Sequence, residues 1–282
     1  MEWLDKMNAA LSYIEENLDG EVDVAVVAKK ACTSSYNFQR MFSFIADVPL
    51  AEYIRRRRLS LAAVELTKKE ATVLEVALKY GYESPVSFAR AFQNIHGITP
   101  KQAMEEGAML KNYPRISFQI TIKGVEEMEY RVEMGKAFRM LGKKRDFSTK
   151  DGENFRLIPK FWQEVCADGT CERMQQMTVK EDQAFYGVCM DFDNTKIGYM
   201  VGVHSEEPVP EGFDAIEIPE CLWVKFECRG PIPEAMQDVW KRVYSEWFPT
   251  SGYEHTGGPE IEWYDCEDNC HAQIWLPVRK CK

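Results

Sequence analysis

The sequence predicts a two-domain protein: an all-α N-terminal domain with two helix-turn-helix units, and a C-terminal α+β domain with an antiparallel sheet. Three observations predict this division. Apolar residues in the first hundred positions follow helical spacing and repeat internally, apolar and polar residues alternate beyond Arg115, and the net charge changes sign between the two parts. The predicted bounds are 1–107 for the helical domain, 108–114 for a linker and 115–282 for the C-terminal domain.

Charge is distributed unevenly along the chain. Residues 24–104 carry twelve Lys and Arg against six Asp and Glu, a net charge of +6, whereas residues 108–282 carry 22 against 30, a net charge of −8. The whole chain of 282 residues has a net charge of −10. Because only the surface that meets phosphates must be basic, this acidic total does not exclude a nucleic-acid partner for the N-terminal part.

The N-terminal part contains an internal repeat. After an amphipathic helix predicted over residues 3–18, residues 24–49 resemble residues 73–99. Each copy has a short apolar helix, a break, and a second helix with the pattern Phe-x-Arg-x-Phe. Ser84-Pro85 and Thr99-Pro100 have the form of helix starts, a capping hydroxyl followed by a proline preset for the first turn. Thr99 with Gln102 also has the spacing of a capping box for a last helix. Two helices joined by a tight turn and present twice predict a double helix-turn-helix.

A helix predicted over residues 50–68 joins the two copies and contains the run Arg55-Arg56-Arg57-Arg58. Four consecutive residues span more than one helical turn, so they cannot all face one partner. We expect one or two of these arginines at phosphates and the rest in solvent or in ion pairs.

The second helix of each copy supplies the candidate base-contacting residues, because an α-helix fits the major groove of B-DNA. In the first copy the predicted outward positions are Ser35, Tyr36, Gln39 and Arg40, and in the second they are Val86, Ser87 and Arg90. The second copy offers fewer hydrogen-bonding side chains, so we expect it to act more as an anchor. The alternative for Arg40 and Arg90 is a structural ion pair within the domain.

These motifs resemble the DNA-binding domain of AraC-type transcription regulators. The matching residues are Phe38-Gln39-Arg40-Met41-Phe42, Tyr53-Ile54-Arg55-x-Arg57, Ala77-x-x-x-Gly81-Tyr82-Glu83-Ser84 and Phe88-x-Arg90-x-Phe92 through Gly97-x-Thr99-Pro100. The resemblance implies a transcription regulator, expected to be an activator, with promoter DNA and RNA polymerase as partners. A cytoplasmic location is expected because neither a secretory signal nor a membrane span is recognisable. Cys32, Asp47 and Ala103 depart from the family pattern, which usually has glycines at the first two positions and an aromatic residue at the third. They predict a less ideal first turn and a looser last helix.

The C-terminal part has the pattern of an α+β domain. Strands are predicted at about 115–122, 128–134, 136–147, 184–192, 197–204, 212–218, 222–229, 260–266 and 272–278, and helices at 155–167 and 231–247. The order strands–helix–strands occurs twice, which predicts two related modules.

An acidic residue among aromatic residues marks a candidate ligand site. Glu262 and Tyr264 alternate onto one face of a strand, and a carboxylate in an aromatic pocket is typical of sites for flat, apolar cations. Any one buried aromatic residue is, as an alternative, simply part of the core. The other candidate pocket residues are Phe161, Trp162, Tyr199, Trp223, Trp240 and Trp275.

Residues 115–279 resemble the GyrI-like effector-binding domain of multidrug-sensing regulators. The matching residues are Trp223-x-x-x-Phe226 leading to Gly230-Pro231, Trp247-x-Pro249-x-Ser251-Gly252-Tyr253, Pro259-x-x-Glu262-x-Tyr264 and Ile274-Trp275-Leu276-Pro277-Val278. The resemblance implies a small-molecule effector, and it implies that Glu262 binds lipophilic cations.

Other functions stay open. Cys266, Cys270 and His271 could bind a metal, with Cys166 and Cys171, although the spacing matches no tight zinc pattern, and a redox-sensing thiol pair is a further alternative. A hydrolase could use Glu262 as a general base together with a tyrosine. The C-terminal domain could also bind a protein as an adaptor. No cofactor, metal or catalytic residue is expected, and neither a membrane span nor a secretory signal is recognisable.

Overall fold

The computed structural model describes residues 3–118, 127–149, 153–191 and 196–281. The chain forms two compact units. The first, called here the helical unit, comprises Met1–Cys32 and Val48–Gln119, and the second, called the sheet unit, comprises Thr33–Asp47 and Ile120–Lys282. Within the described ranges no helix is long and apolar enough to cross a membrane.

Among the described residues, six helices make up the helical unit, and their starts follow from local capping. Thr72, Ser84 and Thr99 each accept a backbone N–H of the following turn on the side-chain oxygen, and Thr99 forms the predicted capping box with Gln102. The helices are α1 (Trp3–Glu16), α2 (Val24–Lys30), α4 (Leu50–Lys68), α5 (Val73–Lys79), α6 (Pro85–His96) and α7 (Pro100–Ala103). Helix α3 (Ser35–Ala46) lies in the sheet unit. The two helices of the first repeat therefore belong to different units.

The four consecutive arginines of α4 all have partners inside the helical unit. Arg55 and Arg56 pair with Glu52 on their own helix, Arg57 pairs with Glu15 at 2.7 Å, and Arg58 donates to backbone carbonyls of the α1–α2 connection. Arg57 and Arg58 thus connect α4 to α1 and to the α1–α2 connection.

The segment after α7 packs on the helical unit. Arg57 donates to the Tyr113 carbonyl at 2.7 Å, and the Phe118 backbone exchanges two 3.0 Å hydrogen bonds with the Asn8 amide. Of the strand predicted over 115–122, the described residues up to 118 are not strand, and the rest lie outside the described residues. The Asn8 amide satisfies the Phe118 backbone groups in place of a sheet partner. The described residues 108–118 therefore belong to the helical unit, and the domain bounds at 107 and 115 stay a prediction.

In the part of the chain that the structure describes, the sheet unit contains nine antiparallel strands in the order β1-β6-β9-β8-β3-β4-β2-β5, with β7 paired to β9. They are β1 (Tyr130–Gly135), β2 (Phe138–Ser148), β3 (Phe185–Met190), β4 (Lys196–His204), β5 (Asp214–Ile218), β6 (Cys221–Arg229), β7 (Tyr253–His255), β8 (Glu260–Tyr264) and β9 (His271–Lys280). Helices α8 (Glu153–Ala167) and α9 (Thr170–Gln175) follow β2, and α10 (Glu234–Arg242), a π-helical turn (Val243–Trp247) and α11 (Phe248–Ser251) follow β6.

The strand order confirms the two predicted modules. One module runs β2–α8–β3–β4 with the spatial order β3-β4-β2, and the other runs β6–α10–β8–β9 with the order β8-β9-β6. They meet where β3 pairs with β8, in the middle of the sheet. Strand alternation gives the sheet two apolar faces. One carries Leu141, Cys189 and Tyr199 with α3 and α8 packed on it, and the other carries Met140, Tyr186 and Trp223.

Candidate functional site

The candidate site lies where the two modules meet. Glu260, Glu262 and Tyr264 occupy alternate positions of β8, and Gly187 of β3 lies opposite Glu262 in the register. A Cβ built on Gly187 would lie 2.1 Å from the Tyr199 hydroxyl. Glycine at this point therefore makes room for an aromatic side chain directly over the strand.

Glu262 is surrounded by hydrogen-bond donors from several elements. Its Oε1 accepts from Trp240 Nε1 at 3.2 Å, and its Oε2 accepts from the hydroxyls of Tyr264 at 3.1 Å and Tyr199 at 3.5 Å. Trp162 Nε1 donates to the Tyr199 hydroxyl at 2.8 Å. Burial, and then the charge of Glu262, raise the pKa of Tyr199 and Tyr264 well above the ordinary tyrosine range, so both stay protonated as donors.

Glu260 is a second carboxylate on the same face, and it is only 2 % exposed. Burial raises the pKa of Glu260; the charge of Arg40 opposes this change and that of Glu262 adds to it. Within the described residues Glu260 Oε1 has no hydrogen-bond partner, although His255 Nε2 lies 3.4 Å away. A buried carboxylate of this kind needs a cation beside it.

That cation is Arg40 of α3. Its guanidinium contacts Glu260 at 2.7 Å and Glu262 at 3.1 Å, and its Cζ lies 4.0 Å from the centre of the Trp240 ring. The Phe44 ring stacks on Trp240 with the ring centres 5.6 Å apart and an interplanar angle of 9°. We call the space bounded by Glu260, Glu262, Tyr199, Tyr264 and Trp240 the carboxylate cleft. It holds a flat cation between two acids and an aromatic face.

Further contacts hold α3 on the cleft. The Tyr36 hydroxyl lies 3.4 Å from Cys189 Sγ and accepts from Arg40 at 2.9 Å. The Tyr244 hydroxyl of the π-helical turn donates to Asn37 Oδ1 at 2.9 Å.

This placement corrects the expectation that Tyr36 and Arg40 point outward. They are 3 % and 5 % exposed, and Ser35 is also buried, while Gln39 is half-buried. The physical reason is the strong pairing of one guanidinium with two carboxylates. The alternative of an ion pair for Arg40 is observed, but its partners lie 220 and 222 residues away rather than within the N-terminal domain.

The second repeat keeps its predicted surface. Val86 is 72 % exposed, and Ser87 and Arg90 are also exposed on α6, while Phe88 and Phe92 face the core of the helical unit. The side chains predicted to meet DNA are therefore accessible on α6.

The structure gathers only part of the predicted pocket. Glu262, Tyr264, Tyr199, Trp162 and Trp240 lie together, and Phe161 packs against Phe147 in the apolar core that includes Tyr199.

Trp223 and Trp275 are corrections to that prediction, because they lie on the other face of the sheet. They line a separate cleft of about 360 Å³, where the Lys225 ammonium lies 3.5 Å from the Trp275 ring centre. The reason is strand parity: Trp223 alternates with Val224 and Phe226, whose face is the one opposite.

Glu260 and Gly187 are the important residues that the sequence predictions did not include. Glu260 shares the parity of Glu262 and Tyr264, so its position two residues before Glu262 was an available signal. The position of Gly187 opposite Glu262 depends on the β3–β8 register, which no local sequence pattern predicts.

The cysteine alternatives are placed as follows. Cys166 and Cys171 have their Sγ atoms 2.7 Å apart, and His271 bridges Glu227 and Asp265. In the parts of the chain that the structure describes, no group of three His, Cys, Asp or Glu residues is arranged to hold a metal ion.

The fold and the site together define an AraC-type helix-turn-helix protein with a GyrI-like effector-binding domain. Residues 27–106 match the family described as helix-turn-helix domain, and residues 131–278, just over half of the chain, match the family described as integron-associated effector binding protein. The chain belongs to the integron-associated effector binding protein family.

Individual relatives agree with this division. The chain is 48 % identical over 90 residues to the transposon Tn10 TetD protein of Escherichia coli, and 41 % identical over 90 residues to the regulatory protein SoxS of Salmonella typhimurium. Each match covers 32 % of this chain, with 65 % of TetD and 84 % of SoxS. A solved structure of SAV2435 bound to tetraphenylphosphonium shares the fold of the other part, with 22 % identity, a TM-score of 0.50, and coverage of 54 % of this chain and 94 % of that one.

Proposed function

We propose that the protein is a transcription regulator that binds promoter DNA through its helix-turn-helix units and senses a lipophilic, flat or aromatic cation in the carboxylate cleft. The observation that carries the sensing part is the Arg40 guanidinium held by Glu260, Glu262 and the Trp240 face. This contact indicates which chemistry these groups accept. Enzymatic turnover has no comparable support, because the Glu262 oxygens already accept hydrogen bonds from Trp240 and Tyr264.

The energetics of the cleft favour a cation with apolar flanks. A buried carboxylate without a partner costs several kcal/mol, and a cation over a desolvated Trp ring gains roughly 0.5–2 kcal/mol. The surrounding rings of Tyr199, Tyr264 and Trp162 would cover an aromatic ligand. SAV2435, which shares the fold, is described bound to tetraphenylphosphonium, a lipophilic cation. We therefore choose tetraphenylphosphonium as the probe.

Tetraphenylphosphonium should bind the full chain and quench tryptophan fluorescence, because Trp240 and Trp162 lie at the cleft. In a chain that also carries Arg40→Ala, so that Arg40 does not compete, replacing Glu262 by Gln should weaken binding by at least about tenfold, since it removes one of two attracting charges, and about 1.4 kcal/mol corresponds to tenfold. Glu246→Gln is the matched control, because Glu246 pairs with Arg242 on the domain surface. Equal affinities of Arg40→Ala and of Arg40→Ala/Glu262→Gln would contradict the assignment of the cleft.

The DNA-binding part is tested on α6, whose candidate residues are exposed. Arg90→Ala should weaken binding to a duplex, selected by the wild-type protein from a random-sequence pool, by roughly 1–3 kcal/mol if Arg90 contacts a guanine. Lys68→Ala, at the exposed end of α4, serves as the control for loss of one positive charge. Gel-shift titrations in which Arg90→Ala binds as tightly as wild type would remove α6 from the DNA interface. RNA polymerase recruitment, with activation as the expected sign, is then measured by transcription in vitro from the selected site.

A further inference from the structure

Helix α3 places the Arg40 guanidinium in the carboxylate cleft, where a bound cation would lie. Tyr36, four residues before Arg40, contacts Cys189. Further contacts with the rest of the sheet unit come from Asn37, Arg40, Phe44 and Asp47. These positions are separated by three or four residues, so they form one face of the helix. The face meets three different groups: the acids of β8, the Trp240 ring and Tyr244.

The last contact on this face is an ion pair at the end of the helix. Lys241 of α10 contacts Asp47 at 2.6 Å. Asp47 also directly follows the last residue of α3, Ala46, and has the left-handed conformation with φ of 52°. The whole length of α3, from Tyr36 to Asp47, is thus bound to the sheet unit.

The bound face overlaps the predicted base-contacting residues. Tyr36 and Arg40 belong to both sets, and their side chains are buried beneath the helix. A guanidinium with both carboxylates as partners cannot reach a base edge at the same time. In this arrangement α3 cannot read DNA.

An external cation in the cleft needs the same groups that Arg40 uses. It would pair with the same Glu260 and Glu262 oxygens and lie over the same Trp240 ring, so the ligand and Arg40 exclude each other. A ligand that binds only when α3 has left shifts the population towards released α3. DNA that binds only released α3 shifts the same equilibrium in the same direction, and the two affinities are therefore linked positively.

We infer that α3 is an autoinhibitory occupant of the carboxylate cleft, and that a cationic effector activates DNA binding by displacing Arg40 and releasing the recognition helix. The inference rests on the proposed function of the cleft and adds how the cleft is regulated. If α3 is docked in about 99 % of molecules, the apparent affinities for ligand and for DNA are each reduced about a hundredfold.

The ligand arm of the test compares two arginines at corresponding positions of the two repeats. Arg40→Ala should raise the affinity of the full chain for tetraphenylphosphonium at least tenfold, because the internal competitor is gone. Arg90→Ala on α6 should leave that affinity at the wild-type value. If Arg40→Ala binds the probe no more tightly than wild type, α3 does not compete for the cleft. Adding Glu262→Gln to the Arg40→Ala chain then measures the effect of the acid on the ligand alone.

The DNA arm uses residues outside the recognition helix. The double variant Tyr244→Phe/Lys241→Ala removes the partners of Asn37 and Asp47 and leaves every predicted DNA contact in place. Without ligand it should bind the selected duplex at least tenfold more tightly than wild type, and tetraphenylphosphonium should stimulate it less. Tyr253→Phe/Arg242→Ala, which changes comparable residue types away from α3, should bind DNA as wild type does.

The two proposals fail in different ways. If tetraphenylphosphonium binds neither wild type nor Arg40→Ala, the ligand class is wrong, while the DNA arm still measures docking of α3. If the probe binds through Glu262 but neither arm changes affinity, the cleft senses cations and autoinhibition by α3 is overturned. Circular dichroism of each variant distinguishes release of α3 from global unfolding, because release of this 12-residue helix leaves the remaining helical content unchanged.

Discussion

Glu260 and Glu262 lie two residues apart and have different environments. Glu260 is almost fully buried, and Arg40 supplies its strongest contact. The Glu262 side chain is 18 % exposed and accepts from Trp240 and two tyrosines as well. A buried charge without a partner is costly, so Glu260 requires a cation beside it. Glu262 and the aromatic side chains that donate to it determine the shape and position of that cation.

Substitution of Gly187 measures how tightly side chains pack over β3 at the carboxylate cleft. Gly187→Ala places a methyl group against the Tyr199 hydroxyl, which must move and lose its hydrogen bond from Trp162. Overpacking of this kind typically costs about 1–3 kcal/mol of unfolding free energy. We expect a lower urea midpoint and weaker tetraphenylphosphonium binding. Gly20→Ala is the control, because its nearest neighbour is a backbone oxygen at 4.0 Å. A Gly187→Ala chain as stable as wild type would mean that the Tyr199 ring is not fixed over the strand.

For single residues, sequence patterns predicted the type of side chain at the site better than they predicted where that side chain lies in the fold. Alternation correctly placed Glu262 and Tyr264 on one face, and the two meet at 3.1 Å. The same rule, applied across strands, would have separated Trp223 and Trp275 from them, but it needs the strand register. Arg40 was recognised as a helix-surface residue, and no local pattern indicates that its partners lie 220 and 222 residues away.

Turns at corresponding points of the two repeats share a backbone conformation despite different residues. Cys32 corresponds to Gly81 and Asp47 to Gly97, and φ is positive at all four: 55°, 80°, 52° and 80°. The family pattern has glycine at the first-repeat positions, so the chain keeps the geometry without the residue that adopts it most easily. For L-residues other than glycine this conformation costs roughly 1–2 kcal/mol.

Cys32→Gly should therefore stabilise the protein. The gain is about 1 kcal/mol at most, since glycine also increases the entropy of the unfolded chain. The reciprocal change, Gly81→Ala, should destabilise, because it puts a Cβ into the left-handed conformation and 3.2 Å from an Arg58 nitrogen. The midpoints of thermal unfolding of Cys32→Gly, Gly81→Ala and wild type measure both effects. A lower midpoint for Cys32→Gly would show that the Cys32 side chain makes a compensating contact.

Helices and strands were predicted well where a local signal marks their ends. The predicted helix over residues 50–68 coincides with α4, and the Thr99 capping box starts α7 as expected. The helix predicted over 231–247 begins only at Glu234, because Pro231 and Pro233 lie at its start, and it continues as a π-helical turn. Strand β7 was not predicted, since its three residues are too few to show a period.

The largest departure from the prediction concerns the whole molecule. Local rules predicted α3 correctly as a helix, and its side chains were assigned from helical spacing alone. Its membership of the sheet unit depends on Arg40, Glu260 and Glu262, which are close only in the folded chain. Sequence patterns predict the charge of each of these three residues and the helix or strand that carries it. They do not predict that the three side chains meet.

Two buried or half-buried histidines give the stability of the whole molecule a dependence on pH. His255 Nδ1 accepts from the Gly257 N–H, so its proton lies on Nε2. Burial, and then repulsion by Arg40, lower the pKa of His255 to about 3. His271 behaves oppositely: burial lowers its pKa, but hydrogen bonds to Glu227 and Asp265 outweigh this and leave the pKa raised.

Acid should destabilise the protein in part through His255. Below its ordinary pKa of 6.5 the unfolded chain binds a proton at His255 that the folded chain refuses until about pH 3, so stability falls as pH falls through this window. At about two pH units below 6.5 the loss is about 2–3 kcal/mol, from about 1.36 kcal/mol per unit. His255→Gln should therefore lose less unfolding free energy than wild type between about pH 7 and pH 4.5 in urea titrations. His271→Gln is the contrast, because protonated His271 stabilises the fold below 6.5 and this contribution is lost as pH rises through its raised pKa. If His255→Gln loses as much stability as wild type over the same range, folding does not lower the pKa of His255, and its burial beside Arg40 is wrong.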